Sequence, residues 1–451
     1  MRRVGRAASA LLLVTAVTVV GATGPATVVG AADTTGFTLY VGAWNDATLV
    51  PVAVDSQVAG TPTPVGLSPA AVAITPDGAT AFVANFGSNS VTPVDTATGV
   101  AAPAVDTGSD THPVAVAISP DGRTVWVLAQ GITDGALVPV DVATRVAGAP
   151  VVLTGTTPAG LAITPDGTTA FVTDNPGGTV IPVDLGTRAV GAPITVGANP
   201  GGPAITPDGA LLFVPNATDG TVTPVDVASR TALAAITVGA LANWVSITPD
   251  GRTALVATGD PDHSVRFVDV ATLTAGVAVP VGDNPAAIAI TPDGATAFVG
   301  NFALEDAAST VVAIDLATRT AGAPFTVGSN PASLAISPDQ APLARLAVRS
   351  VGAPGTSTEF DASASTVRYG TIASYAWDFG DGSSPVVTAS PVVEHSYATV
   401  GNYVVTLTET SSAGTSTRVV FTGQTVSNHG GPSAVTTATV AVGSQVLRFT
   451  G

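Results

Sequence analysis

A Pro-Asp pair that follows a short apolar run recurs seven times along the chain, at Asp77, Asp121, Asp166, Asp208, Asp250, Asp293 and Asp339. The spacing stays between 42 and 46 residues, and Gly follows the first six copies. Self-similarity of this length restricts the fold to repeat architectures, because a single unit cannot bury its own apolar face and must stack on its neighbours. The unit that begins at Val72 reads as four short strands: Val72–Thr75, Ala81–Ala84, Val91–Asp95 and Ala102–Asp106. Pro76-Asp77-Gly78 turns the first strand into the second, with Pro presetting φ and Gly accepting a left-handed conformation. Four strands in roughly 40–45 residues is the size of a propeller blade.

The repeats also specify how the ring closes. The second strand has copies around Val41, Val83, Val127, Val172, Val214, Val256 and Val299. The third ends in Asp55, Asp95, Asp141, Asp184, Asp226, Asp269 and Asp315. The first second-strand copy, Leu39-Tyr40-Val41, has no first strand before it, and the last first-strand copy, Leu334–Ser337, has no second strand after it. Joining these ends gives an all-β, seven-bladed propeller of four-stranded blades without free edges between its ends. The repeat resembles the YVTN-type β-propeller family through Ile74–Gly78, Ala81–Asn85, Val94–Thr98 and Val196–Pro200, over residues 37–339. The resemblance implies a surface or periplasmic protein, and the related propellers include lactonases and haem- or quinone-linked oxidoreductases.

After Pro342 the period stops. Tyr375-Ala376-Trp377-Asp378-Phe379-Gly380-Asp381-Gly382 is followed by His395-Ser396-Tyr397, Gly401-Asn402-Tyr403 and the alternating run Val404–Thr408. These residues resemble a PKD domain, which implies an immunoglobulin-like β-sandwich serving as an extracellular spacer or interaction module. The expected organisation is a signal peptide over 1–32, a propeller over 33–340 and a PKD-like sandwich over 341–451. An added segment over 417–433 precedes a last strand at Val435–Val442. The signal reading rests on Arg2, Arg3 and Arg6 before an apolar stretch too short to span a bilayer. A secreted monomer with no membrane span after cleavage is expected.

Composition removes several chemistries. The chain has no Cys, and its 15 basic residues are all Arg, so thiolate nucleophiles, Cys-ligated metals and Schiff-base lysines are excluded. A net charge of −17 argues against nucleic acid. The seven first-strand copies, from Val72–Thr75 to Leu334–Ser337, carry no charge, so the channel walls hold no acid/base pair. No cofactor and no metal site is expected. Pro93, Pro139, Pro182 and Pro224 fall inside the third strand, so the fourth must pair with it only in part. The repeated aspartates read as turn formers.

The loops between strands two and three and between strands four and one vary from blade to blade, which is where binding resides on a rigid scaffold. They carry Asp46, Asp110, Asp134, Asp174, Asp219, Asp260, Asp262, Asp283, Glu305 and Asp306, with His112 and His263 among them. The expected function is a non-catalytic binding or structural module whose acidic loop face contacts a cationic protein or a glycan. The alternative is a propeller enzyme, either a lactonase-like hydrolase or a haem- or quinone-linked oxidoreductase.

Overall fold

The structure is a computed structural model that describes residues 37–442 apart from 77, 110, 292–293, 303–308, 338–343, 367–370 and 412–434. The signal segment, Asp77, Asp110, Asp293, Glu305, Asp306, Asp339 and the added segment 417–433 lie outside the described residues.

Seven antiparallel sheets follow one another from Thr38 to Ser337, and each innermost strand packs on the next around the ring. The ring closes as the repeat count requires. Thr38–Ala43 pairs with Pro331–Ser337, setting Leu39 opposite Ile336, Tyr40 opposite Ala335 and Val41 opposite Leu334. The closing sheet is the first blade, and the others are numbered on from it along the chain.

Sheets that radiate from an axis lie close together at the centre and diverge outward, so side-chain volume must rise from the first strand to the second. The cross-strand pairs follow that taper. Phe82 faces Ala73, Trp126 faces Ala117, Phe171 faces Ala162 and Phe213 faces Ala204. Leu255 faces Ser246, Phe298 faces Ala289 and Tyr40 faces Ala335. All fourteen residues are buried. Each large side chain packs on aliphatic residues of the adjacent blade, as Tyr40 does on Val72, Ile74 and Val83.

The prolines fit the same pattern. Pro51, Pro93, Pro139, Pro182 and Pro224 stand opposite Tyr40, Phe82, Trp126, Phe171 and Phe213. Their carbonyls accept from Gly60, Ala102, Gly148, Gly191 and Leu233 of the outer segment at 2.7–2.8 Å. The N and C=O of one strand residue point the same way, so the missing N–H also faces the outer strand and the pairing of strands two and three is intact. The outer strands are accordingly short, such as Val105–Asp106 and Ile194–Thr195. Phe267 and Ala313 occupy the proline position in the sixth and seventh blades; the outer strand runs from Thr274 to Pro280 in the sixth but only over Thr320–Ala321 in the seventh, so the missing donor is one cause of short outer strands and not the sole one.

The repeated aspartates shape turns, as expected. Asp121, Asp166, Asp208 and Asp250 each accept from the backbone N–H two residues on. Asp95, Asp141, Asp184, Asp226, Asp269 and Asp315 each accept from the N–H and hydroxyl of a Thr or Ser three residues on. These bonds hold the six carboxyls below the usual range. Asp55 is a correction. Ala53, not Asp55, stands opposite Thr38 where Asp95 stands opposite Thr80, so the first blade lacks this turn carboxylate. Four arginines follow the turns with left-handed backbones, Arg145, Arg188, Arg230 and Arg319. Two of them reach the preceding blade: Arg188 donates to the Ala149 carbonyl at 3.1 Å, and the Arg319 guanidinium lies 5.1 Å over the Phe267 ring.

The C-terminal sandwich has one sheet of Ala347–Ser350, Ser357–Asp361 and Val392–Ser396, and a second of Val386–Thr388, Ile372–Asp378, Gly401–Ser411 and Val435–Val442. The last strand lies where the sequence puts it. Trp377 is fully buried among Phe360, Phe379, Tyr397 and Leu407, and its Nε1–H donates to Thr388 Oγ1 at 3.0 Å.

Closure predicts that Leu334→Ala costs about 2–5 kcal/mol. It should lower the melting temperature of the whole propeller in one transition; loss confined to one end would contradict a closed ring. The turn carboxylates predict an acid-side instability. Their folded pKa values are depressed, so the stabilisation is complete above the unfolded value of about 4 and is lost as pH falls through the folded values. Denaturant midpoints measured from pH 6 down to pH 2 should fall, and Asp226→Asn, which keeps one acceptor oxygen, should flatten that fall.

Candidate functional site

The innermost strands line an axial channel. Its third wall position, counted from Pro69 and its equivalents, is Ala71, Ala115, Gly160, Gly202, Trp244, Ala287 and Ser333 around the ring. Trp244 is the one large side chain in that series. The fifth blade yields to it. Gly201-Gly202-Pro203 interrupts that innermost strand between the Pro200–Asn216 bridge and Ala204–Ile205, and a Cβ on Gly202 would come within 2.4 Å of the Trp244 indole. Gly202 instead bridges to Trp244 in parallel fashion, donating to the Asn243 carbonyl and accepting from Val245. A cavity of ≈ 30 Å³ remains at this level, bounded by wall positions three and four. The wall carries no charged group, as expected, but Trp244 and Ser333 were not singled out by the sequence pattern. The run Asn-Pro-Gly-Gly-Pro at 199–203, unlike the other first strands, is the signal that could have found the deformation.

At the loop face most carboxylates are occupied. Asp46 accepts from Ser329 N at 2.7 Å, Asp134 from Gly155 N at 2.7 Å and Asp174 from Thr157 N at 2.9 Å. Asp219 accepts from Ala198 N at 2.8 Å, and Asp262 from Ala240 N at 2.7 Å. Each ties a strand-two-to-three loop to a loop arriving at or leaving its blade. The acidic rim is thus largely a set of backbone clasps, each satisfying an N–H that the turn would otherwise strand. Asp260 and Asp283 differ, flanking His263 at 3.4 Å from Nε2 and 3.9 Å from Nδ1. Among the described residues no group of three or more His, Asp or Glu is placed to hold a metal ion.

His112 has the more defined setting. It immediately precedes the innermost strand of the third blade, with a left-handed backbone at φ 41°. Its ring stacks on Phe86 with centroids 4.9 Å apart, and Phe86 packs on Trp44 at 5.6 Å. His112 Nδ1 lies 3.2 Å from the Phe86 carbonyl, and its backbone N–H donates to Asn89 Oδ1 at 3.0 Å. A carbonyl oxygen only accepts, so Nδ1 carries the proton and the Nε2 lone pair is left facing outward from that bond. Phe86 and Trp44 were not among the sequence candidates, because only the fold stacks the loops of three consecutive blades. His112 and His263 belong to distant blades and form no joint site.

The sandwich has its own polar cluster. His395 stacks on Phe379 at 3.9 Å and meets Asp381 at 2.7 Å, and hydrogen bonds from Ser383 and His395 bring the Asp381 carboxyl down to about 2. Glu409 is fully buried, and burial raises its carboxyl.

Residues 6–343 match the family model of the YNCE-like beta-propeller, and residues 339–426 match that of the PKD domain. Among solved structures, hydrazine synthase from Kuenenia stuttgartiensis is similar at 20% identity and TM-score 0.53, covering 65% of this chain and 93% of its own. A proposed 6-phosphogluconolactonase from Bacteroides uniformis is similar at 14% identity and TM-score 0.56, covering 67% and 99%. The dihydro-heme d1 dehydrogenase NirN, solved in complex with DHE, is similar at 17% identity and TM-score 0.50, covering 66% and 74%. At these identities the likeness establishes the fold. It also corrects the expectation of a non-catalytic module. Three propellers that share this ring bear the names of enzymes, against that expectation, and another, from Desulfotomaculum acetoxidans, is of unknown function at 14% identity and TM-score 0.59, covering 66% and 98%.

The clasp geometry predicts that Asp262→Ala lowers the melting temperature by about two degrees while Asp260→Ala leaves it nearly unchanged, since only the first removes a hydrogen bond to the backbone, worth about 0.5–1.5 kcal/mol. Equal effects in thermal melts would show that these carboxylates act only through net charge.

Proposed function

The chain belongs to the YNCE-like β-propeller family, and on that premise we propose that its propeller is a hydrolase that opens small uncharged lactones or esters at the loop face. The observation that carries this reading is His112: a tautomer fixed by the Phe86 carbonyl, a ring stacked on Phe86, which itself packs on Trp44, and an Nε2 with no hydrogen-bond partner among the described residues. That is the arrangement a general base needs.

In the proposed reaction Nε2 of His112 takes a proton from water, and the oxygen of that water bonds to the substrate carbonyl carbon. The tetrahedral intermediate collapses with cleavage of the carbonyl carbon–alkoxy oxygen bond. The proton returns from His112 to the leaving oxygen, giving a hydroxyl and a carboxylic acid that ionises in water. The acidic rim then favours product release, because the new carboxylate leaves a field of like charge. The same field selects against anionic substrates. A phosphorylated lactone, which the name of the Bacteroides protein implies for that protein, suits this face poorly: the acidic loops supply no Arg and the chain has no Lys.

Hydrolysis of a panel of unphosphorylated lactones and phenyl esters is the direct test. His112→Gln should lower kcat by about 10²–10⁴-fold with KM little changed. Phe86→Leu, which removes the stack and keeps the carbonyl, should cost less. Purified protein with a haem or quinone absorption band, or a panel left unhydrolysed by the wild type, would overturn the hydrolase reading.

A further inference from the structure

Three aromatic side chains occupy one position in three successive blades. Phe302, Trp44 and Phe86 follow the second strands of blades seven, one and two, which are Thr296–Asn301, Thr38–Ala43 and Thr80–Asn85. Each donates its backbone N–H at 3.0 Å to the carbonyl just before the innermost strand, that of Asn284, Asn330 or Ser68. In the other four blades the same bond is made by Gln130, Asn175, Ala217 and Gly259. The loop face is therefore aromatic on one side of the ring and polar or small on the other. All three aromatic residues are partly exposed, whereas Phe82, Phe171, Phe213 and Phe298 within the second strands are buried. Leu67 adjoins Phe86: its carbonyl accepts from Gly87 at 3.0 Å, and it is 62% exposed. Leaving apolar surface in water is unfavourable, and grouped apolar residues on a polar face mark a contact site. The turn itself does not call for them, since four blades make it without an aromatic residue.

We propose that Trp44, Phe86 and Leu67 form a subsite for an uncharged aryl group, the part of the substrate that the reaction leaves unchanged. The proposal deepens the hydrolase reading, on which the presence of a reacting ester beside His112 rests. The shelf ends at the candidate base, because Phe86 stacks on His112 at 4.9 Å and packs on Trp44 at 5.6 Å. A group held on these rings is thus a neighbour of His112. Aromatic rings attract one another at such separations in offset or tilted arrangements, so the shelf suits a flat ring. Leu67 and the Phe86 ring offer no hydrogen bonds, which favours an aryl group over a sugar. Asp46, two residues beyond Trp44, is exposed, and the acidic loops supply no Arg, so a carboxylate on the ring would be repelled.

Full-length protein with ¹⁵N-labelled indoles tests the subsite apart from the chemistry, by titration with acetophenone, an uncharged aryl ketone that water does not cleave. The Trp44 Nε1–H resonance, assigned by its loss in Trp44→Phe, should shift saturably, while those of the buried Trp126 and Trp377 stay unmoved. Benzoate and glucose should each bind about tenfold more weakly or less. Leu67→Ser should weaken acetophenone binding about threefold and raise KM for phenyl acetate by a similar factor, with a smaller change in kcat. The same variant should melt within about one degree of the wild type, since Leu67 is exposed, so its lost affinity is not lost folding. Saturable acetophenone binding by a protein that hydrolyses no ester would overturn the hydrolase reading and keep the subsite. Hydrolysis of phenyl acetate with an unmoved Trp44 resonance, or benzoate or glucose bound as tightly as acetophenone, would overturn the subsite and keep the hydrolase.

Discussion

The pairing of a small residue on each innermost strand with a large one on the strand behind it is the constraint on which the propeller depends. Alanine or serine near the axis lets seven sheets converge, and Phe, Tyr, Trp or Leu farther out fills the widening gap between blades. The pair cannot be exchanged without opening a void outside and a clash inside. In the sixth blade bulk moves outward by one strand: Leu255 is the smallest of the seven second-strand residues, and Phe267 stands behind it where five other blades have proline. The channel owes its narrowness to the same rule, and a single tryptophan on its wall requires a glycine, Gly202, in the neighbouring blade.

Backbone satisfaction explains most of the acidic composition. Aspartates at the turns and in the loops accept from N–H groups that no strand can pair, on both faces of the ring. Seen this way the charge of −17 is a by-product of how the chain finishes its turns without lysine or cysteine. It leaves little titratable chemistry free, and that scarcity isolates His112. The aromatic shelf beneath it is assembled from the two preceding blades, so the candidate base is positioned by the ring and by no single repeat.

The ring was legible because the repeat encodes register twice, once in the Pro-Asp turn and once in the two-residue alternation of each strand. Leu39 and Leu334, 295 positions apart, could be assigned to one sheet on that basis alone, and they fall there. The proline argument was equally readable, since one missing donor has one geometric consequence. Asp55 misled because the motif of a valine followed by aspartate was matched by letters, whereas pairing with Thr38 places Ala53 at that position. Trp244 escaped notice because the windows compared began one residue later, at Val245. The Phe86–His112 stack could not be read at all, since its partners lie 26 residues apart in loops of different blades and meet only through the curvature of the ring.

The prolines of the third strands have one more consequence, and it concerns neighbours of the protein more than its own stability. A long, regular outer strand would offer every passing chain a ladder of unpaired amides on which to add another strand. Here the perimeter is broken into two- and three-residue pieces in all blades but the sixth, so an incoming strand finds too few consecutive donors and acceptors to register against. A sequence rich in Val, Thr and Ala, with a tenth of its residues charged, is the kind that forms intermolecular sheets. The fragmented rim is protection against aggregation built into the backbone, and Thr274–Pro280 is the one stretch of the propeller's edge where that protection is thin.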